Sequence, residues 1–80
     1  MAITNKIKSL LEHQNKSSEG LAAHLGVSRQ AIYNKYNRDS YSAEDLIRIA
    51  DYLGVDLAFV VDDKQRVTLD VNDIKQKTVI

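Results

Sequence analysis

Arg29, Gln30, Tyr33 and Asn34 are the residues of this chain best suited to recognising a patterned polar surface. Their spacing places all four on one side of an α-helix, and Asn37 continues that side. Arginine presents a rigid fork of donors, while glutamine and asparagine each present a donor beside an acceptor. Such forks match base edges in the major groove, arginine onto guanine O6 and N7, the amides onto adenine N6 and N7. The Tyr33 ring has a second use, resting on Tyr36 or against a phosphate. Lys16, Lys35, Asn37, Arg38, Ser40 and Tyr41 flank the same segment as candidate phosphate donors. Ser17, Ser18 and Ser28 stand at expected helix starts, where backbone amides and the helix dipole favour an anion. Contacts of that kind give affinity that is independent of sequence and falls with salt. The plain alternative for each cation is a solvated surface charge, and for Ser28 a simple helix cap.

Other chemistry has little support. His13 and His24 lie on different expected helices without ligand spacing, so both read as surface histidines and no metal is expected. Asp62 and Asp63 are adjacent in a loop, and a pair of acid catalysts would need opposed placement in a pocket. The chain has no cysteine and no glycine-rich phosphate loop. No enzyme and no cofactor is expected.

The residues around the reading face specify the scaffold. Ile3, Ile7, Leu10 and Leu11 recur at helical spacing, predicting a first helix from about Thr4 to His13 with Thr4 as its cap. Ser17 or Ser18 starts a second helix whose inner stripe is Leu21, Ala22 and Leu25. Gly26 stops it in a left-handed turn, Val27 plugs the core, and Ser28 starts a third helix with Ala31 and Ile32 inward. Two helices joined this tightly must cross steeply, which is the geometry of a helix-turn-helix. Asn37–Ser40 is a polar loop. Ser42-Ala43-Glu44-Asp45 opens a fourth helix with Leu46, Ile49, Ala50 and Leu53 inward and Gly54 at its end. Leu57–Val61 is then apolar, and Arg66–Val71 alternates strictly. The pattern predicts a β-hairpin, with residues 55–60 as a fifth helix the alternative. Residues from Asn72 read as a weakly packed tail.

With 80 residues the chain suits one small domain: a helix-turn-helix over 1–54, the hairpin over 55–71 and a tail over 72–80. Net charge is zero, but it is unevenly spread. Up to Arg38 there are six basic and two acidic side chains, a net of +4; from Asp39 there are five and nine, a net of −4. The positive half surrounds the reading helix. No apolar run approaches bilayer length and no signal-peptide pattern appears, so a cytoplasmic protein without membrane contact is expected.

The string L-A-x-x-x-G-V-S-x-x-x-I, carried by Leu21, Ala22, Gly26, Val27, Ser28 and Ile32, resembles the Cro and repressor-type helix-turn-helix proteins, the XRE family. The likeness extends through I-R-I-A-D-Y-L-G-V in the fourth helix. Y-N-K-Y-N-R-D-S-Y looks like a subgroup from Gram-positive bacteria and their phages. The resemblance covers about three quarters of the chain. It implies a mostly α, lambda-repressor-like or Cro-type domain of four to five helices with a C-terminal β-hairpin. It further implies a dimeric transcriptional repressor on a roughly palindromic operator, cytoplasmic and nucleoid-associated in a bacterial or phage-infected cell. Two positions depart from the family pattern. Ser18 stands where a longer glutamine is common, and Tyr36 where an acidic residue is usual.

A homodimer on double-stranded DNA is therefore expected. One short helix reads too few base pairs alone, and the apolar first strand needs a cover. The hairpin supplies the expected interface through Leu57, Phe59, Val60, Val61, Val67, Leu69 and Val71. The alternative is a protein-interaction module on the same fold, such as an antitoxin, an inhibitor of a host enzyme or an accessory subunit. A third arrangement combines DNA on the third helix with a second protein at the hairpin.

Overall fold

Serine oxygens start three consecutive helices in the computed structural model, which describes residues 2–74. The order is α1 (Ile3–His13), α2 (Ser18–Leu25), α3 (Arg29–Arg38) and α4 (Ala43–Leu53), then strands β1 (Leu57–Asp62) and β2 (Gln65–Leu69), then a 3-10 turn at Val71–Asp73. Ser17, Ser28 and Ser42 accept the amides of Gly20, Ala31 and Asp45, orphan donors that a helix start leaves without partners. Asp45 returns a carboxylate oxygen to the Ser42 amide at 2.9 Å, completing a capping box. Gly26 (φ 72°) and Gly54 (φ 65°) end α2 and α4 in the left-handed region, where a side chain would be strained.

The start of α1 departs from expectation. Thr4 lies inside the helix and does not cap it; the N-cap is Ala2, which offers no side-chain acceptor. Asp39 supplies the cap from the far end of α3. Its carboxylate accepts the Thr4 amide at 2.7 Å and the Ile3 amide at 3.2 Å. The Thr4 hydroxyl is buried and donates to the Tyr36 carbonyl at 3.0 Å. With that proton committed, the Tyr41 hydroxyl donates to Thr4 Oγ1 at 2.6 Å. The N-terminus of α1 is thereby fastened to the C-terminus of α3.

The core joins all four helices: Ile7 and Leu11 from α1, Leu21 and Ala22 from α2, Ile32 and Tyr36 from α3, Ile49 and Leu53 from α4. Ile3 and Leu10 of the expected α1 stripe remain 43% and 39% exposed. On α4, Ile47 is buried beside Ile49 and Ala50, and Leu46 is half-buried. Leu46 and Ile47 face the base of the hairpin, where a cleft is lined by Ala43, Leu57, Ala58, Phe59 and Leu69.

The hairpin forms, and no fifth α-helix occurs among the described residues. Leu57 pairs with Leu69, Phe59 with Val67 and Val60 with Arg66 in antiparallel register. Asp63 and Lys64 connect the strands without a left-handed residue, so the turn is not of the primed kind that matches strand twist. The Asp62 carboxylate accepts the Lys64 amide at 2.8 Å to hold the turn. A register shift between Val60 and Asp62 leaves Val61 as a bulge, which restores twist locally. Strand one does not divide into a covered and an uncovered face. Leu57 and Leu69 rest on α4, while Phe59 (68% exposed) and Val67 (52%) continue the same face past the helical body. The expected tail begins with the 3-10 turn capped by Asp70, and residues 75–80 lie outside the described residues. No helix among the described residues is long and apolar enough to cross a membrane.

The Asp39 clamp has a pH signature. Hydrogen bonds from Thr4, its amide foremost, hold the Asp39 carboxyl below its ordinary 3.8. For Asp45, burial pushes the pKa up, but Lys35 and the Ser42 amide outweigh it and the net shift is also downward. A depressed folded-state pKa stabilises above the unfolded value, and the gain is lost as pH falls through the folded one. Melting temperature should therefore drop as pH is lowered past 3.8. Asp39→Asn should flatten that drop in melts followed by circular dichroism. An unchanged acid limb in the variant would remove Asp39 from the account.

Candidate nucleic-acid interface

The turn between α2 and α3 is made by three residues with separate tasks. Gly26 reverses the backbone, the Val27 amide bonds back to the Ala22 carbonyl at 3.0 Å, and Ser28 opens α3. Leu25 and Val27 pack partly buried against the core, fixing how α3 crosses α2. On α3, Ile32 is fully buried and Tyr36 is 6% exposed, so this side is sealed against α1, α2 and α4. Ala31, expected inward, is half-buried and lines a shallow depression with Asn34, Lys35, Arg38 and Ser40.

Arg29, Gln30, Asn34 and Asn37 lie on the exposed side of α3. The helix carries Arg29, Lys35 and Arg38 and no acidic residue. Gln30 Nε2 donates to Asn34 Oδ1 at 3.1 Å, which leaves Gln30 Oε1 and its second amide hydrogen outward. The Arg29 guanidinium sits 5.7 Å from the centre of the Tyr33 ring, a cation–π arrangement. Tyr33 is half-buried and meets Tyr36 edge-on, centroids 5.6 Å apart at 82°. The ring thus rests on Tyr36, and its hydroxyl points towards Glu19 Oε2 at 3.5 Å. Glu19, in the first turn of α2, also pairs with Arg29 Nε at 3.3 Å. Arg29 and Tyr33 therefore share one carboxylate, from a residue whose place in the sequence marks it only as a negative charge.

The two departures from the family pattern meet in space. Ser18 Oγ and the Tyr36 hydroxyl are 2.8 Å apart. A short residue on α2 and a long one on α3 make the brace between the helices. Burial raises the Tyr36 pKa, offset in part by Ser18, so the hydroxyl stays protonated and free to bond.

The flanking candidates divide into those at the exposed surface around α3 and those whose side chains are bonded to other segments. Asn37, Arg38 and Ser40 are exposed around the C-terminal end of α3. Ser17 and Ser28 are exposed while serving as caps. Lys35 is turned aside: its ammonium bonds the Asp45 carboxylate at 2.9 Å, tying α3 to α4. Lys16 donates to the Tyr52 carbonyl at 2.6 Å and lies 4.7 Å from that ring's centre, neutralising the C-terminal end of α4. The Tyr41 hydroxyl is engaged with Thr4, and burial raises its pKa as well. These three bonds join segments 36, 10 and 37 positions apart, so spacing along the chain gives no sign of them.

A family model described as the bacteriophage CI repressor helix-turn-helix domain matches residues 2–66. No curated protein and no solved structure matches the chain.

Proposed function

The chain belongs to the bacteriophage CI repressor helix-turn-helix family and is a DNA-binding regulator, and from that premise we propose that it is a sequence-specific repressor acting as a homodimer on a palindromic operator. In this reading α3 enters the major groove with its first turn leading. Arg29, Gln30 and Asn34 read base edges, and Tyr33 supports Arg29 from below. Ser17, Ser28, Asn37, Arg38 and Ser40 contact the phosphates on either side. Lys35 and Tyr41 brace the reading head from within, and Lys16 ties it to the end of α4 at the surface. The supporting observation is the division of α3: forked polar side chains on the exposed side, Ile32 and Tyr36 sealed on the other.

The helices to Gly54 serve as the reading head and the hairpin as the dimerisation element. Phe59, Val60, Val61 and Val67 are each more than half exposed, while Val71, 41% exposed, lies at the α4 end of the hairpin. Leu57 and Leu69 anchor this overhang to α4. A two-fold axis through the overhang covers the patch on both copies at once and presents two α3 helices to inverted half-sites. Selection from a random duplex pool should return such half-sites, about 10 bp apart centre to centre.

Phe59→Lys tests the interface. Burying one phenylalanine is worth about 1.5–3 kcal/mol, and two-fold symmetry counts it twice, so dimerisation should weaken by about a hundredfold or more. Sedimentation should then give a folded monomer where the parent is a dimer. A variant as dimeric as the parent would move the interface elsewhere, and a parent that is monomeric at high concentration would remove the homodimer. A parent that ignores duplex DNA even at low salt while folded would favour an interaction module instead.

A further inference from the structure

We infer that Glu19 is a positioning residue for Arg29, and that the base it directs Arg29 towards is guanine. This rests on the proposed reading in which Arg29 faces base edges.

Glu19 meets the guanidinium at its Nε. Its Oε2 lies 3.3 Å from Nε, and the same oxygen lies 3.5 Å from the Tyr33 hydroxyl. The Tyr33 ring supports the guanidinium at 5.7 Å. The carboxylate therefore sits as an ion pair beside Nε, the donor nearest the side-chain stem. Among the described residues no other carboxylate pairs with Arg29. The two terminal nitrogens, Nη1 and Nη2, are left as a parallel pair of donors at the tip. A pair of adjacent donors needs a pair of adjacent acceptors. In the major groove only guanine offers that, through O6 and N7. Adenine sets a donor beside its N7, thymine a methyl beside its O4, and cytosine presents a donor.

Arg29 is 70% exposed and Glu19 52%, so the pair adds little to folding. Its effect lies in restricting where a long, flexible side chain points. An arginine left free samples phosphates as well as bases, which raises affinity without raising selectivity. Glu19 also comes from α2, whereas Arg29 sits on α3, so the restraint acts across the helix-turn-helix and fixes the fork relative to the scaffold.

The test uses the full chain and the duplex it selects from a random pool. Each selected guanine is replaced in turn by 7-deazaguanine, which lacks only the N7 acceptor. The parent should lose about tenfold in affinity at one guanine per half-site. Arg29→Ala should abolish that difference. Glu19→Gln, which keeps the side-chain size and removes the charge, should reduce it to about threefold or less with an unchanged melting temperature. The comparison is a ratio within one protein, so a general rise in DNA affinity on losing a negative charge cancels. A parental ratio retained, or enlarged, in Glu19→Gln would overturn the positioning role. A parent indifferent to every 7-deazaguanine would overturn the assignment of guanine. A parental ratio retained in Arg29→Ala would instead overturn the underlying assignment of Arg29 as a base reader.

Discussion

Arg29→Ala should bind the selected operator about tenfold to a hundredfold more weakly per half-site while folding as the parent does. The magnitude follows from one bidentate base contact, about 1–3 kcal/mol of discrimination. A two-fold complex loses the contact twice, so the whole site should lose about a hundredfold or more. Folding should be spared because the side chain is 70% exposed and its ion pair with Glu19 is a surface one. Affinity for unrelated duplex should change far less, since phosphate donors such as Arg38 remain. The measurement is a pair of titrations, operator and random duplex, at one fixed salt concentration. Equal losses on both would make Arg29 a phosphate contact. No loss on either would place the reading surface off the first turn of α3.

How far such a surface is legible without coordinates depends on the range of the interaction that fixes each residue. Ser17, Ser28 and Ser42 could be recognised as caps because a cap bonds an amide three positions away. Gly26 and Gly54 could be recognised because a left-handed turn is a property of one residue. The outward face of α3 followed from periodicity alone. The start of α1 did not, since its acceptor is Asp39, 35 positions from Thr4. Asp39 itself adopts φ 51°, a conformation that asparagine and aspartate tolerate but that nothing in the local string demands. Lys16 and Lys35 looked like phosphate donors for the same reason: their partners, Tyr52 and Asp45, come from α4. Ser18 and Tyr36 each depart from the family pattern alone, yet together they bond across the crossing that the turn creates. Glu19 was open to detection, because a tight helix-turn-helix brings the first turn of its first helix near the first turn of its second. Reading that needs the crossing geometry as well as the spacing.

The inner face of α3 carries the other large effect. Ile32→Ala should destabilise the protein by about 2–5 kcal/mol, the range for emptying a fully buried aliphatic site. Ile32 has no solvent exposure and lies one turn from Tyr36 on the sealed side of α3. A domain of this size has the low end of the usual ~5–15 kcal/mol of stability, so the variant should melt about 10–30 °C lower. Ile32→Val, which keeps most of the volume, should cost about 0.5–1.5 kcal/mol. Saturating operator should recover part of the loss, because a ligand that binds only the folded state stabilises it in proportion to the logarithm of its concentration over Kd. That recovery separates two accounts of α3. If the helix keeps its place and merely loses packing, operator affinity measured well below the melting point stays near the parent's, and operator stabilises the variant by as much as it stabilises the parent. If Ile32 also sets the angle at which α3 leaves the body, affinity falls even where the protein is folded and the operator-induced increment is smaller than the parent's. Since Tyr36 remains braced by Ser18 and the end of α3 remains clamped by Asp39 to α1, the first outcome is expected. A folded Ile32→Ala with strongly reduced affinity would show that the core, and not those two fastenings, aims the reading face.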